Sequence, residues 1–388
     1  MSKALLSVVT GNTPMVRGKA VDGLLKLSAT AVVPAVSICG ENEGYPSVHR
    51  LLSGAGAPLD TAVSGAVTGS PAVVLRQDLL SLRRTVGSEH VILALPGSLD
   101  VLPFLVELWR ARTGATSLAD HYAAAPALVA VDPVTFMADI GRVHHAVRLW
   151  NGWNRTAPLT RAEAAARQVE SADVLYVPAG EGVGDRHGSG VGCLVERVNG
   201  GALLVDSCSD GRHLMRPLPA DFGEEWLGRL DPLVIPGSPH PAEHSVRSVR
   251  WRSRRPVHPQ RLADALAVAL RGVVRSRGHL WLCGRPDSVI TWRSAGAHLE
   301  LQEADRWLEP QETGAWQAAT PQRRTLASWF WHDYYGERRN EIVFIGVGLD
   351  EQAIRCALDE ALLTDHELAQ GRAAWAAVPD PLLGSAAG

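Results

Sequence analysis

The chain has 388 residues, 46% apolar and 20% charged, with a formal net charge of −3. Those values allow two domains with full cores and exclude a disordered chain. They also exclude a protein that engages DNA or another polyanion through its overall charge. The five cysteines, Cys39, Cys193, Cys208, Cys283 and Cys356, are odd in number and show no Cys-x-x-Cys spacing. This points away from a disulfide framework and towards a reducing compartment. The first residues carry too short an apolar run for a signal peptide, and no segment has eighteen uninterrupted apolar residues, so a cytoplasmic protein without a membrane partner is expected.

Ala4 to Thr10 is a short apolar run ending at Gly11, and Val21 to Leu27 resume with helical spacing. A strand, a glycine and a helix in this order is where a phosphate-binding loop would sit. Such a loop needs GxxxxGK[ST]: backbone N–H groups cradle phosphates, the lysine reaches the terminal ones and the hydroxyl holds magnesium. Here the Gly11 to Gly18 spacing is two residues too long, Pro14 lacks an N–H, and Ala20 follows Lys19 where the hydroxyl is needed. Gly11, Gly18 and Lys19 therefore read as a weak remnant of a nucleotide loop, or more simply as a turn with a surface lysine.

A strand at Ala31 to Ile38 leads to a loop with Cys39, Glu41, Glu43 and His49, metal-ligand types without a spacing that brings them together. Strands are predicted over 90–95 and 128–132. Asp132 ends the latter as a magnesium-type carboxylate or, with no hydroxyl opposite, as a helix cap. A helix over 161–171 precedes a strand over 172–177, and the glycine-rich stretch 180–192 lacks the lysine of a phosphate loop. Alternating strands and helices predict a mostly parallel sheet with helices on both faces, within a first domain of residues 1–231. Residues 232–244, with four prolines and with His240 and His244, read as a linker.

Residues 245–376 then form a smaller α+β domain. A strand over 245–253 precedes the His258-Pro259 break and a helix over 259–275, with Leu262, Leu266, Leu270 and Val273 on one face. Strands over 279–283, 289–293 and 298–302 follow, then the aromatic run WFWHDYYGERR, a strand over 341–347 and a last helix capped by Asp350, carrying Ile354, Leu358 and Leu362. Residues 377–388 read as a loose tail. Between Arg247 and Arg277 lie nine arginines against one acid, Asp264. Alternation on a strand points side chains to one face, so Arg250, Arg252, Arg254, Arg255, Arg275 and Arg277, beside Trp251, Trp281, Trp292, Trp329 and Trp331, are candidates for gripping RNA. His144-His145 and His332-Asp333, the latter near Ser328, lack a nucleophile or third partner, so no catalytic residue and no metal site is assigned.

Several motifs of the second domain, in order, resemble the C-terminal domain of the CobW-type GTPases, a family of metal chaperones. They are Arg254-Arg255-Pro256-x-His258-Pro259-x-Arg261-Leu262, Gly272-Val273-Val274-Arg275-Ser276-Arg277-Gly278-x-Leu280-Trp281-Leu282, Arg285-Pro286-Asp287, Trp331, Gly336-Glu337-Arg338, Glu341 to Gly346, and Leu362-Leu363-Thr364-Asp365. The likeness covers residues 245–368. It implies a P-loop GTPase-like first domain, but that domain departs from the family's pattern three times. Besides the altered loop, the stretch Gly69 to Val73, before the helical segment VVLRQDLLSLRR, holds none of the family's Cys-x-Cys-Cys cysteines. Pro178-Ala179-Gly180-Glu181 stands where the family has Asn-Lys-x-Asp for guanine.

Joint loss implies a degenerate, pseudo-GTPase domain. With zinc-starvation members of the family as a guide, the resemblance implies a non-enzymatic scaffold of the zinc-limitation response. Its expected partners are the ribosome or ribosomal RNA and a hibernation factor, and it needs no cofactor. The alternative it implies is a GTP-dependent zinc metallochaperone with an unconventional loop, using GTP, magnesium and zinc.

Overall fold

The computed structural model describes residues 2–28, 30–39, 47–54, 57–66, 70–111, 116–152, 156–178, 186–208, 211–234, 245–309 and 313–384. The chain divides into two compact units, Met1–Leu230 and Asp231–Gly388.

The first unit is built around β1 (Ala4–Gly11). Leu6 and Val8 pack into one apolar cluster and Val9 into another, because successive side chains leave a strand on opposite faces. α1 (Pro14–Leu27) covers the Val9 side with Val16, Ala20 and Leu24. An antiparallel meander follows, β2 (Val32–Cys39), β3 (Ser47–Gly54) and β4 (Ala57–Ala66). Next come α2 (Pro71–Thr85), β5 (His90–Ala94) and α3 (Val101–Trp109). Leu75, Leu79, Phe104 and Leu105 of these helices bury the Leu6 side.

The remainder of this unit runs α4 (Leu118–His121), β6 (Tyr122–Ala124), β7 (Leu128–Ala130), α5 (Pro133–Ile140), β8 (Ala146–Val147), β9 (Leu159–Thr160), α6 (Arg161–Glu170), β10 (Val174–Tyr176), α7 (Arg186–Val198), β11 (Leu203–Val205), α8 (Gly211–Leu214) and α9 (Phe222–Gly228). The main sheet has the order β11-β10-β7-β1-β5-β2-β3-β4, with β6 also on β1. It is parallel from β11 to β2, with helices on both faces, as alternation predicts. The meander was not anticipated: His49 lies in a strand rather than a loop. Val48 and Leu52 are buried while Leu51 is exposed, too sparse a pattern to read as a strand.

In the second unit β12 (Val246–Ser253) leads to α10 (Pro259–Ala269), β13 (Val273–Leu280), β14 (Ser288–Ala295) and β15 (His298–Arg306). Then come α11 (Thr313–Ala318), α12 (Pro321–Trp329), β16 (Asn340–Val347), α13 (Glu351–Glu360), α14 (Asp365–Ala369) and α15 (Gly371–Trp375). The antiparallel sheet has the order β12-β16-β13-β14-β15. One face buries Val249, Trp251, Leu280, Trp292, Ile342 and Phe344 against Leu262 of α10 and Ile354 and Leu358 of α13. Asp350 caps α13 by accepting from the Ala353 N–H at 3.0 Å. The opposite face is largely polar.

Three boundaries differ from the sequence reading. α10 stops at Ala269, short of residue 275, because Gly272 turns the chain at φ +73° and β-branched Val273 and Val274 begin a strand. Leu233, read as linker, is buried with Trp281 and Trp307 in the second unit; residues 235–244, with His240 and His244, lie outside the described residues. The tail is held rather than loose as far as residue 384. Arg285 donates to Asp380 at 3.2 Å and to the Gly384 carbonyl at 2.9 Å, and Leu382 and Leu383 pack against the core. No helix among the described residues is long and apolar enough to cross a membrane.

His90 sits buried at the start of β5, its Nε2 at 2.9 Å from the Ser7 hydroxyl of β1. Burial lowers its pKa to about 4. The unfolded chain, with a histidine near 6.5, therefore binds a proton between pH 6.5 and about 4 that the folded chain refuses. Stability conferred by neutral His90 is present above that window and falls as pH is lowered through it. Urea midpoints at pH 7, 5.5 and 4.5 should show this decline, and His90→Gln, which can still bond Ser7, should make it shallower.

Candidate functional site

In open α/β sheets ligands bind beyond the carboxyl ends of the strands. At that edge of the first unit β1 ends at Gly11 and α1 begins at Pro14, so only Asn12 and Thr13 connect them. Thr13 caps the helix, its hydroxyl accepting from the Val16 N–H at 3.2 Å, and Pro14 takes the first helical turn, where a missing N–H costs nothing. Gly18 and Lys19 consequently lie inside α1, with Lys19 exposed. This corrects their reading as a loop remnant. A helical N–H is committed to the carbonyl four residues back and cannot cradle a phosphate.

The chain's own groups occupy this edge. Asn12 Nδ2 donates to the Asp132 carbonyl at 3.1 Å, and its Oδ1 accepts from the Asp132 N–H at 2.7 Å, tying β1 to the end of β7. Asp132 Oδ1 accepts from the Thr135 N–H at 2.8 Å, so this carboxylate caps α5. Arg17, half-buried and lowered in pKa by that burial, donates to the Leu95 carbonyl at 2.8 Å. Gln168 donates to the Gly97 carbonyl at 2.7 Å. Contacts are close enough that a Cβ on Gly11 would meet the Ala130 carbonyl oxygen at 3.0 Å, and one on Gly97 the Gly11 carbonyl oxygen at 3.1 Å. These residues do not fit the phosphates and magnesium of GTP in the P-loop manner. Glu181 lies outside the described residues.

Thiolate chemistry is disfavoured at Cys208 and Cys283. Burial raises the Cys208 thiol, and raises Cys283 to about 11. Among the described residues no group of three or more His, Cys, Asp or Glu side chains could hold a metal ion. Glu41 and Glu43 and the Cys39 side chain lie outside the described residues. His144 and His145 are exposed, and His332 Nδ1 accepts from the Tyr334 and Tyr335 N–H groups within a turn.

The six arginines do not form one exposed basic face. Arg250 and Arg252 do share a side of β12, but both converge on Glu341 of the neighbouring β16, at 3.8 and 2.5 Å. Arg254 lies past the strand end and donates to the Gly336 and Arg338 carbonyls at 3.3 Å; Arg255 reaches the Leu363 carbonyl and Asp365. Arg275, on an interior strand, is 1% exposed and donates to the Ser294 carbonyl, and Arg277 is half-buried opposite Arg293. Trp251, Trp281 and Trp292 are core residues, whereas Trp329 and Trp331 are exposed with Tyr334.

Sequence reasoning missed what organises this polar face. Glu337 is fully buried and accepts from Arg323 Nη1 at 2.5 Å and from the Leu308 N–H. Burial opposes the Arg323 charge, but Glu337 and Asp305 outweigh it and hold its pKa above the ordinary value. Arg339 is lowered to about 10 by burial, partly offset by Glu337 and Glu341. The signal was present in Gly336-Glu337-Arg338, a run too charged for an ordinary core.

Residues 246–362, the sheet with α10 and α13, match the model of the cobalamin synthesis protein CobW C-terminal domain. The second unit thus carries a CobW C-terminal-type domain. It is 37% identical over 158 residues to the zinc chaperone Rv0106 of Mycobacterium tuberculosis, covering 40% of this chain and 39% of that protein. Zinc-regulated GTPase metalloprotein activator 1 of Dictyostelium discoideum is 27% identical over 224 residues, covering 55% and 47%. The chain thus spans about two fifths to just under half the length of these relatives. The crystal structure of the Zn(II)-bound YjiA GTPase from E. coli covers 94% of this chain and 100% of its own, at 14% identity and a TM-score of 0.35.

Replacing Glu337 by Gln keeps its shape but leaves Arg323 poorly compensated. The loss should be about 3–5 kcal/mol, read as a lower denaturant midpoint of the second unit at unchanged m-value.

Proposed function

We propose that this chain is a CobW-type protein that serves zinc homeostasis in the cytoplasm as a non-enzymatic scaffold, its first unit a platform that does not bind GTP in the P-loop manner. The two-residue connection between β1 and α1 carries this reading, since it leaves no loop to wrap a phosphate. The zinc setting is supported by the names of the relatives, a zinc chaperone and a zinc-regulated activator. The partner we propose is the ribosome or its RNA, or a hibernation factor brought to it. The surface offered to that partner is Trp329, Trp331 and Tyr334, 79%, 38% and 69% exposed, rather than the arginine set taken as a whole. A second reading, a GTP-dependent zinc metallochaperone, is favoured by the same relatives' names and would require a nucleotide site of another design.

A titration with fluorescent GTP and magnesium, with and without zinc, separates the two readings. No binding at millimolar nucleotide is expected. Saturation at ~10 µM, about −7 kcal/mol, would overturn the platform and favour the chaperone. Co-sedimentation with ribosomes should fall about tenfold in the double variant Trp329→Ala, Trp331→Ala, in line with the usual strength of base stacking on aromatic side chains. Unchanged pelleting would remove that surface from the proposal.

A further inference from the structure

We infer that the polar face of the second unit's sheet holds a small inorganic anion of the halide class, bound between His279, Arg339 and Trp307. These side chains are 0%, 4% and 2% exposed. Both ring nitrogens of His279, Nε of Arg339 and Nε1 of Trp307 have no hydrogen-bond partner. Buried polar groups in native proteins almost always have one, and orphans gathered in one place mark a shared missing acceptor. The His279 and Trp307 rings lie edge to face with centroids 5.9 Å apart. His279 of β13 pairs with Glu341 of β16, and Arg339 stands just before that strand, beside Glu341. Arg339 Nε stands 3.9 Å from Glu341 Oε2, too far for a hydrogen bond.

The sign of the site follows from its surroundings. Arg250, Arg252, Arg323 and Arg339 converge here on the buried Glu337 and Glu341, with Asp305 at 3.1 Å from Arg323 as a third carboxylate, so four guanidinium groups face three carboxylates. Burial and the charges of Arg339, Arg323 and Arg252 hold His279 neutral, its pKa well below the ordinary value. A metal cation would meet the same repulsion. An anion instead offsets the excess of guanidinium charge and accepts the N–H groups of Trp307, Arg339 and His279. Size follows from closure: Arg339 stacks 4.0 Å from the Phe330 ring centroid, and the three ligating side chains are shut off from solvent. That favours a monoatomic anion over a nucleotide or phosphorylated ligand. This inference stands apart from the proposed scaffold role.

The test is chlorine NMR line broadening of chloride by the full chain, in buffer whose ionic strength is balanced with gluconate. The expected result is excess broadening that saturates, is displaced by bromide, and weakens about tenfold in affinity in Trp307→Phe and in Arg339→Gln. Arg355→Gln, on the exposed side of α13, should leave it unchanged. Trp307→Phe preserves a packed ring and decides alone if Arg339→Gln fails to fold. Absence of saturable broadening in the unsubstituted protein would overturn the site, as would equal broadening in Trp307→Phe, which would mean adventitious surface binding or water as the orphans' partner.

Discussion

The point at which α1 begins constrains everything the first unit can do. Thr13 and Pro14 supply the two things a helix start needs, an oxygen to cap the free N–H groups and a residue that has no N–H to waste. Once they start the helix, Gly18 and Lys19 are carried into its second turn. Asn12 is then free to stitch β1 to the end of β7. Among the described residues, the carboxyl ends of β1, β5 and β7 are stitched by side chain to backbone bonds, in a position where open α/β folds commonly form a cleft.

The second unit solves a different problem. Its sheet has one apolar face, covered by α10 and α13, and another bearing more charge than a buried surface normally tolerates. Arginine is suited to that role because its planar fork bonds carboxylates and carbonyls in fixed directions. Glu337 and Glu341 act as anchors from which Arg323, Arg339, Arg252 and Arg250 are hung. The same density of arginine that suggests a nucleic-acid surface in one dimension is thus largely consumed inside the fold.

The architecture was legible in the sequence wherever apolar periodicity was strong. The parallel strands, α10 with its His258-Pro259 entry, the Asp350 cap and the antiparallel second unit follow from residues with one dominant preference. Less legible were elements whose stability comes from neighbours. β3 alternates burial only at Val48 and Leu52 and is held by pairing with β2 and β4 on either side, and the tail depends on Arg285, a residue a long way back in the chain. The candidate site was harder still. A GK dipeptide reads the same in a loop and in a helix, and only the cap at Thr13 distinguishes them. Whether Arg275 faces solvent depends on β13 lying between β16 and β14, a fact of topology that local alternation does not contain.

The sheet order of the first unit has a consequence for how the chain acquires its shape. β1 is made before its neighbours: Leu5 pairs with His90 and Val9 with Leu128, so the strand at the centre has none of these partners until much of the unit exists. Closing such long loops before any contact rewards them makes parallel pairing slow. Through that interval the run Ala4 to Thr10, rich in valine and leucine and free of charge, is an unpaired edge of the kind that seeds aggregation. The longer β1 waits for β5 and β7, the longer that run stays exposed, and slower synthesis or a chaperone holding the segment acts on the same interval.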